Sequence, residues 1–260
     1  MKHMMITIDV EPFVCTSKNN MHYDASYDGL KNLIDLFEDL KIKSTFFVVS
    51  EFANKYPKII REIVNVGHEI ASHGEFHFHK YSIMKTIEAK KFLKKSKKTL
   101  EKITRKNIIG FRAPQMKHPS YNVLRECGFL YDSSLHPTYI PGYYNNFFSK
   151  RKIFKQDNIF IVPISVAPIL RAPFSWLWFR NMPLLYSKIC TNSCLIDLDF
   201  VNIYFHPWEF VDIKTYNLTK LPPKFYIKNT GKDLLKRLKV FINYYKSKAE
   251  FLTIKDYLEL

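Results

Sequence analysis

No internal repeat, low-complexity tract or Gly/Ser-rich linker interrupts the 260 residues. The expected organisation is therefore one domain spanning residues 1–260. Only four cysteines occur, Cys15, Cys127, Cys190 and Cys194. They form a single C-x3-C with no second pair, which excludes a zinc knuckle and points to reduced thiols. Neither a G-x-S-x-G elbow nor a Cys–His arrangement is present, so chemistry through a covalent intermediate is not indicated. Uninterrupted apolar sequence is also short. The greasiest region, "IFIVPISVAPILRAPFSWLWFRNMPLLY", is broken by Pro163, Pro168, Arg171, Pro173, Arg180 and Pro183, whereas a spanning helix needs about 20 apolar residues. No apolar h-region or small-residue cleavage site precedes the first strand, so the expected location is cytoplasmic, extending to the inner face of a membrane. Acidic residues are few: 24 against 40 Lys+Arg, or 40 − 24 = +16. That excess would attract polyanions, but many lysines lie in "EAKKFLKKSKKTLEK", the solvated face of one amphipathic helix. No aromatic and basic motif at recognisable spacing supports a nucleic-acid partner.

What is present alternates strand and helix. "MMITIDV", "KSTFFVVS", "HEIAS", "NIIGFRAP", "FLYDSS", "IFIVPIS", "VNIYFHP" and "FLTI" read as strands. Between them run helices with apolar spacing, such as Leu30, Leu33, Ile34, Phe37 and Leu40. Others follow from Pro57 to Gly67, over Met84 to Ile103, before Gly128, around 180–190 and over Lys232 to Lys248. Repeated β-then-α units imply a parallel sheet, and the number of strands favours a single distorted (β/α) barrel of about seven parallel strands. In such barrels the chemistry sits at the C-terminal strand ends. Asp9, Glu11, His73, His77, Arg112, Asp132 and His206 all fall there.

"GHEIASHGEFHFH", Gly67 to His79, holds four of the nine histidines. His73 and His77, four apart, can point the same way, and two imidazoles plus a carboxylate suit Zn²⁺ or a similar divalent ion. In "DVE", Asp9 and Glu11 share one side of an extended strand, so one can bind metal while the other accepts a proton. A lone H-x3-H is more often a pair of surface or capping groups, and the nearby carboxylates raise its standing.

The ordered motifs "TIDVE", "HEIASHGEFH", "FRAP", "YDSS" and "YFHPWE", over roughly residues 4 to 210, resemble the polysaccharide deacetylases, carbohydrate esterase family 4, in the D-x-E and H-P-W-E branch. The resemblance implies Asp9 as catalytic base and His73 and His77 as metal ligands. Glu11 stands in for the usual aspartate ligand, which is Val10 here. It further implies Arg112 orienting the base, the Gln115 backbone N–H in an oxyanion hole, His206 as acid and Asp132 as its hydrogen-bond partner. The implied cofactor is Zn²⁺, with Co²⁺ or Ni²⁺ as alternatives, and the implied reaction is removal of an N-acetyl group from a cell-surface glycan or its lipid-linked precursor. An amidase or deformylase acting on another small amide, with or without metal, and a catalytically silent glycan binder are the rival readings.

Other residues carry weaker expectations. His68 reads as structural, and His79 as solvent-facing. His118 and His136 could reach sugar, and Trp208 reads as a packed aromatic or pocket wall. Trp176, Trp178 and Phe179 read as a lid whose rings could stack on sugars or touch a bilayer, with Arg171 and Arg180 suited to an anionic headgroup.

Overall fold

The computed structural model describes residues 1–14, 21–216 and 222–260. Seven strands form one continuous parallel series: β1 (His3–Val10), β2 (Thr45–Val48), β3 (Glu69–Ser72), β4 (Gly110–Phe111), β5 (Tyr131–Asp132), β6 (Ile159–Ile161) and β7 (Phe200–Phe205). Their spatial order is β6-β5-β4-β3-β2-β1-β7. A short antiparallel strand, Phe154–Gln156, edges β6, and Glu250–Phe251 adds to the start of β1.

β1 explains the curl. Its even positions Met4, Ile6, Ile8 and Val10 pack outward against helices, while Met5 packs inward with Phe47, Ala71, Tyr131, Val162 and Phe200. Strands buried on both faces read as continuous apolar runs, as this one does. On the inward face above Met5, alternation places Thr7 and then Asp9, so polar groups begin where the strand nears its C-terminal end. β6 and β7 do not pair along their length. The gap is bridged by the Ser165 N–H donating to the Asn202 carbonyl at 2.8 Å and the Asn202 N–H to Ser165 Oγ at 2.8 Å. The sheet is thus a distorted barrel of seven parallel strands, as the strand and helix alternation predicts.

Helices cover the outside: α1 (Tyr23–Asp39), α2 (Ser50–Lys55), α3 (Pro57–Asn65), α4 (Thr86–Thr104), α5 (Tyr121–Glu126), α6 (Trp176–Asn181), α7 (Leu184–Asp197), α8 (Lys224–Ile227) and α9 (Lys232–Tyr245). The lysine-rich α4 buries Ala89, Leu93, Ser96, Leu100 and Thr104 at helical spacing and turns its lysines outward. The helix expected around 180–190 is two, α6 and α7, because the pyrrolidine ring of Pro183 cannot continue a helix and restricts Met182 to extended backbone. Gly29 of α1 lies so near the turn after β7 that a Cβ there would stand 1.8 Å from the Pro207 carbonyl oxygen. Among the described residues no helix is long and apolar enough to cross a membrane.

Candidate active site

Every strand of the series except β2 and β6 ends in a residue singled out above: Asp9 and Glu11 at β1, His73 after β3, Arg112 after β4, Asp132 closing β5 and His206 after β7. Asp9, Glu11, His73, His77 and His206 line a single cavity of about 660 Å³, together with Phe13, Gln115, Tyr143, Tyr144, Trp176, Tyr204, Trp208 and Tyr226.

Glu11 is the centre of the cluster. Its Oε2 lies 2.7 Å from His77 Nε2 and 3.2 Å from His73 Nε2, and its Oε1 is 3.8 Å from His206 Nε2. Burial alone would raise the Glu11 pKa. The His77 charge, hydrogen bonds from His73 and His77, and the His206 charge outweigh it and hold the group far below the usual carboxylate range. His73 Nδ1 faces the Arg112 carbonyl at 2.8 Å. A carbonyl only accepts, so Nδ1 carries a proton; Nε2, which faces Glu11, is the nitrogen that would hold a metal ion once its own proton is lost. One carboxylate oxygen and two imidazole nitrogens, all within 4.8 Å of one another, form a donor set that fits a divalent metal ion.

Asp9 sits beside this cluster, 2% exposed. Its Oδ1 accepts from Arg112 Nη1 at 2.7 Å. Arg112 is wholly buried and held on every side: Nη1 also donates to Thr7 Oγ1 at 2.8 Å, Nε to the Ser133 carbonyl at 2.9 Å and Nη2 to Ser133 Oγ at 2.8 Å. Its guanidinium lies 4.1 Å from the Phe47 ring centroid. This fixed cation can orient the Asp9 carboxylate.

The partner of His206 corrects the expectation. Asp132 accepts from Ser134 Oγ at 2.6 Å and from the Ser134 N–H at 3.0 Å, and no hydrogen bond or ion pair joins it to His206. His206 Nδ1 instead lies 3.0 Å from Glu209 Oε1, which also accepts the His206 backbone N–H at 2.8 Å. The other oxygen of Glu209 receives Arg180, fully buried and donating also to the Tyr226 carbonyl. The reason is local geometry: the 3₁₀ turn Pro207–Phe210 folds Glu209 back under the histidine, whereas Asp132 is committed to its own turn. Burial of His206 works against its charged form, but the Glu209 hydrogen bond and the Glu11 and Glu209 charges prevail and raise its pKa. Desolvation likewise raises Asp132, opposed by the His118 charge and the Ser134 bonds.

Gln115 lines the cavity from a strained turn, with φ +55° followed by Met116 at +59°. Trp208 is 3% exposed and stacks on His206, with centroids 5.4 Å apart. Trp176 and Trp178 are half-buried and line the cavity, and Arg180 is engaged by Glu209. Arg171 donates to the Ser149 carbonyl at 3.0 Å.

The remaining histidines separate clearly. His68 is structural: its Nδ1 accepts the Ser44 N–H at 3.2 Å, and burial, aided by the Lys43 charge, pushes it down to about 4. His79 is buried against Phe92, with centroids 4.2 Å apart, and is not solvent-facing. His136 is buried with Nδ1 2.8 Å from Tyr144 Oη, and desolvation, with the Arg112 charge, lowers it to about 3. It is therefore neutral and supports the cavity wall through Tyr144. Sequence reasoning missed Glu209 and Arg180 as a working pair. The motif "HPWE" contained the signal, since a carboxylate three residues after a histidine can fold back on it.

Residues 2–131 match the family model described as polysaccharide deacetylase. The chain is similar to the peptidoglycan deacetylase of Helicobacter pylori, 26% identical over 176 residues, covering 64% of this chain and 59% of that protein. It is also similar to the peptidoglycan deacetylase-like protein FGM2 of Gibberella zeae, 30% identical over 125 residues, 46% of this chain and 37% of that protein. The matched stretches thus span less than two thirds of either relative. Among solved structures the PuuE allantoinase superposes with a TM-score of 0.68 at 16% identity, covering 98% of this chain and 88% of that one, a likeness of fold. With half of its length matched by the family model and the motif residues gathered at one barrel mouth, the chain belongs to the polysaccharide deacetylase family.

Proposed function

We propose that the chain is a metal-dependent hydrolase that removes an N-acetyl group from an amino sugar of a cell-surface polysaccharide or its lipid-linked precursor. The observation that carries this reading is the convergence of Asp9, the Glu11–His73–His77 cluster and His206 on one aromatic-walled cavity. Glu11, His73 and His77 would hold the divalent ion, Zn²⁺ first and Co²⁺ or Ni²⁺ as alternatives. When bound, such an ion supplies Lewis acidity, polarising an amide carbonyl and easing deprotonation of water.

The chain's own residues account for the rest. Asp9, held by Arg112, accepts the proton of the attacking water on its carboxylate. The Gln115 backbone N–H, on the same wall, serves the oxygen that gains charge. His206 delivers its Nε2 proton to the amide nitrogen as the C–N bond breaks, while Glu209 keeps Nδ1–H in place. Acetate and a free sugar amine leave. Trp208, stacked on His206, limits the rotation of that imidazole and walls the acyl side.

Acetate release from N-acetylhexosamine glycans and from nucleotide- or polyprenyl-linked N-acetyl sugars, before and after chelation and with metal added back, tests the reading. Acetate that disappears on chelation and returns with Zn²⁺, Co²⁺ or Ni²⁺ supports it. Metal-independent release, or formate in place of acetate, would favour the amidase or deformylase reading. Binding without release would favour a silent glycan binder.

A further inference from the structure

A second cavity, of about 370 Å³, adjoins the first and shares Met116, Tyr143 and Tyr144 with it. Three cationic or protonatable side chains line it. Lys80 lies three residues past His77, and Lys117 and His118 lie two and three residues past Gln115. The other lining residues are Ser82, Asn146, Ser134 and apolar or aromatic groups, with no carboxylate among them. Lys80 and Lys117 form no ion pair among the described residues. In contrast Lys90, Lys95 and Lys97 of α4 are matched to Glu126, Glu75 and Glu101. The loop carrying Lys117 is set by consecutive left-handed residues, Gln115 and Met116, a conformation that costs energy for side chains with a Cβ and persists where surrounding structure enforces it. Both lysines therefore sit on the loops that build the reaction centre, lining a recess beside it, and while the buried Asp132 behind the recess interacts with His118, neither lysine is paired with a carboxylate.

We propose that this recess is a subsite for an anionic group, carboxylate or phosphate, carried by the saccharide next to the N-acetylated unit. The preferred substrate is then an acidic glycan or a phosphate-linked sugar. This inference rests on the reading of the main cavity as the site that holds the N-acetylated sugar. Lysine ammonium groups suit either anion, since as compact point charges they impose no bidentate geometry.

The test is calorimetric binding at low ionic strength to the full chain carrying Asp9→Asn, which is designed to prevent turnover. Three probes are compared: a tetrasaccharide of alternating glucuronate and N-acetylglucosamine, UDP-N-acetylglucosamine, and neutral chitotetraose. At least one anionic probe is expected to bind about 10-fold or more tightly than chitotetraose, given charge-assisted hydrogen bonds from two lysines, and the uronate and phosphate arms identify the source of the charge. Adding Lys80→Gln and Lys117→Gln is expected to collapse that ratio to within about two-fold, the range of an ordinary exposed ion pair. Equal binding of all three probes, no binding of any, or a preference that survives loss of both lysines would overturn the proposal. Acetate release by the wild-type chain separates the two claims. A neutral substrate hydrolysed without anionic preference removes the subsite and leaves the enzyme. An anionic preference without acetate release removes the deacetylase and leaves the subsite.

Discussion

At the residue scale, the division of labour between two carboxylates two positions apart decides the chemistry. Glu11 faces the imidazoles and Asp9 faces Arg112, so their substitutions should fail in different ways. Asp9→Asn should lower turnover by about 10²–10⁴-fold, the usual worth of a positioned base, and retain bound metal when metal content is measured. Arg112→Met leaves a 2% exposed carboxylate without its cation and should cost about 3–5 kcal/mol in denaturant unfolding, the cost of an uncompensated buried charge. Glu209→Gln addresses the acid. The charged form of His206 is favoured by Glu209, so activity should fall as pH rises through a raised pKa. Removing the carboxylate should move that alkaline limb to lower pH, read from kcat against pH; an unmoved limb would contradict the pairing.

At the scale of elements, the strands and their C-terminal ends were readable because each carries its own local signal. The mainly apolar run Met4–Ile8 gives way to Asp9 near the end of its strand, and Ser72 to His73 where strand becomes loop. The relation between loops was not readable. The local hint, Glu209 three residues after His206, does not by itself decide against Asp132; the turn Pro207–Phe210 and the distant Arg180 of α6 decide it together. His79 looked exposed for the same reason, since its neighbour Phe92 comes from α4. The contact of α1 with this turn is equally tertiary. Gly29→Ala would favour an isolated helix by removing backbone freedom, yet the clash with Pro207 should reverse that sign. Overpacking of this kind costs about 1–3 kcal/mol, which thermal unfolding would show as a lowered Tm. An unchanged or raised Tm would mean that α1 can move away from the turn.

At the scale of the whole molecule, the 40 basic residues, against 24 acidic ones, include two contrasting groups of lysines. Lysines of α4 face outward and several are matched by carboxylates, as solvated-face lysines should be. Lys80 and Lys117 beside the barrel mouth have no ion pair among the described residues, which is the basis of the anionic subsite proposed above. The account as a whole depends on the barrel bringing the ends of β1 and β3 to one point in space. The most direct measurement is metal stoichiometry by elemental analysis after chelation and reloading with Zn²⁺, on the wild-type chain and on the Glu11→Gln and Asp9→Asn variants. The account predicts about one ion per chain in wild type and Asp9→Asn, the number a single three-residue donor set holds, and a large loss in Glu11→Gln. Full retention of the ion by Glu11→Gln, or its loss from Asp9→Asn alone, would contradict it.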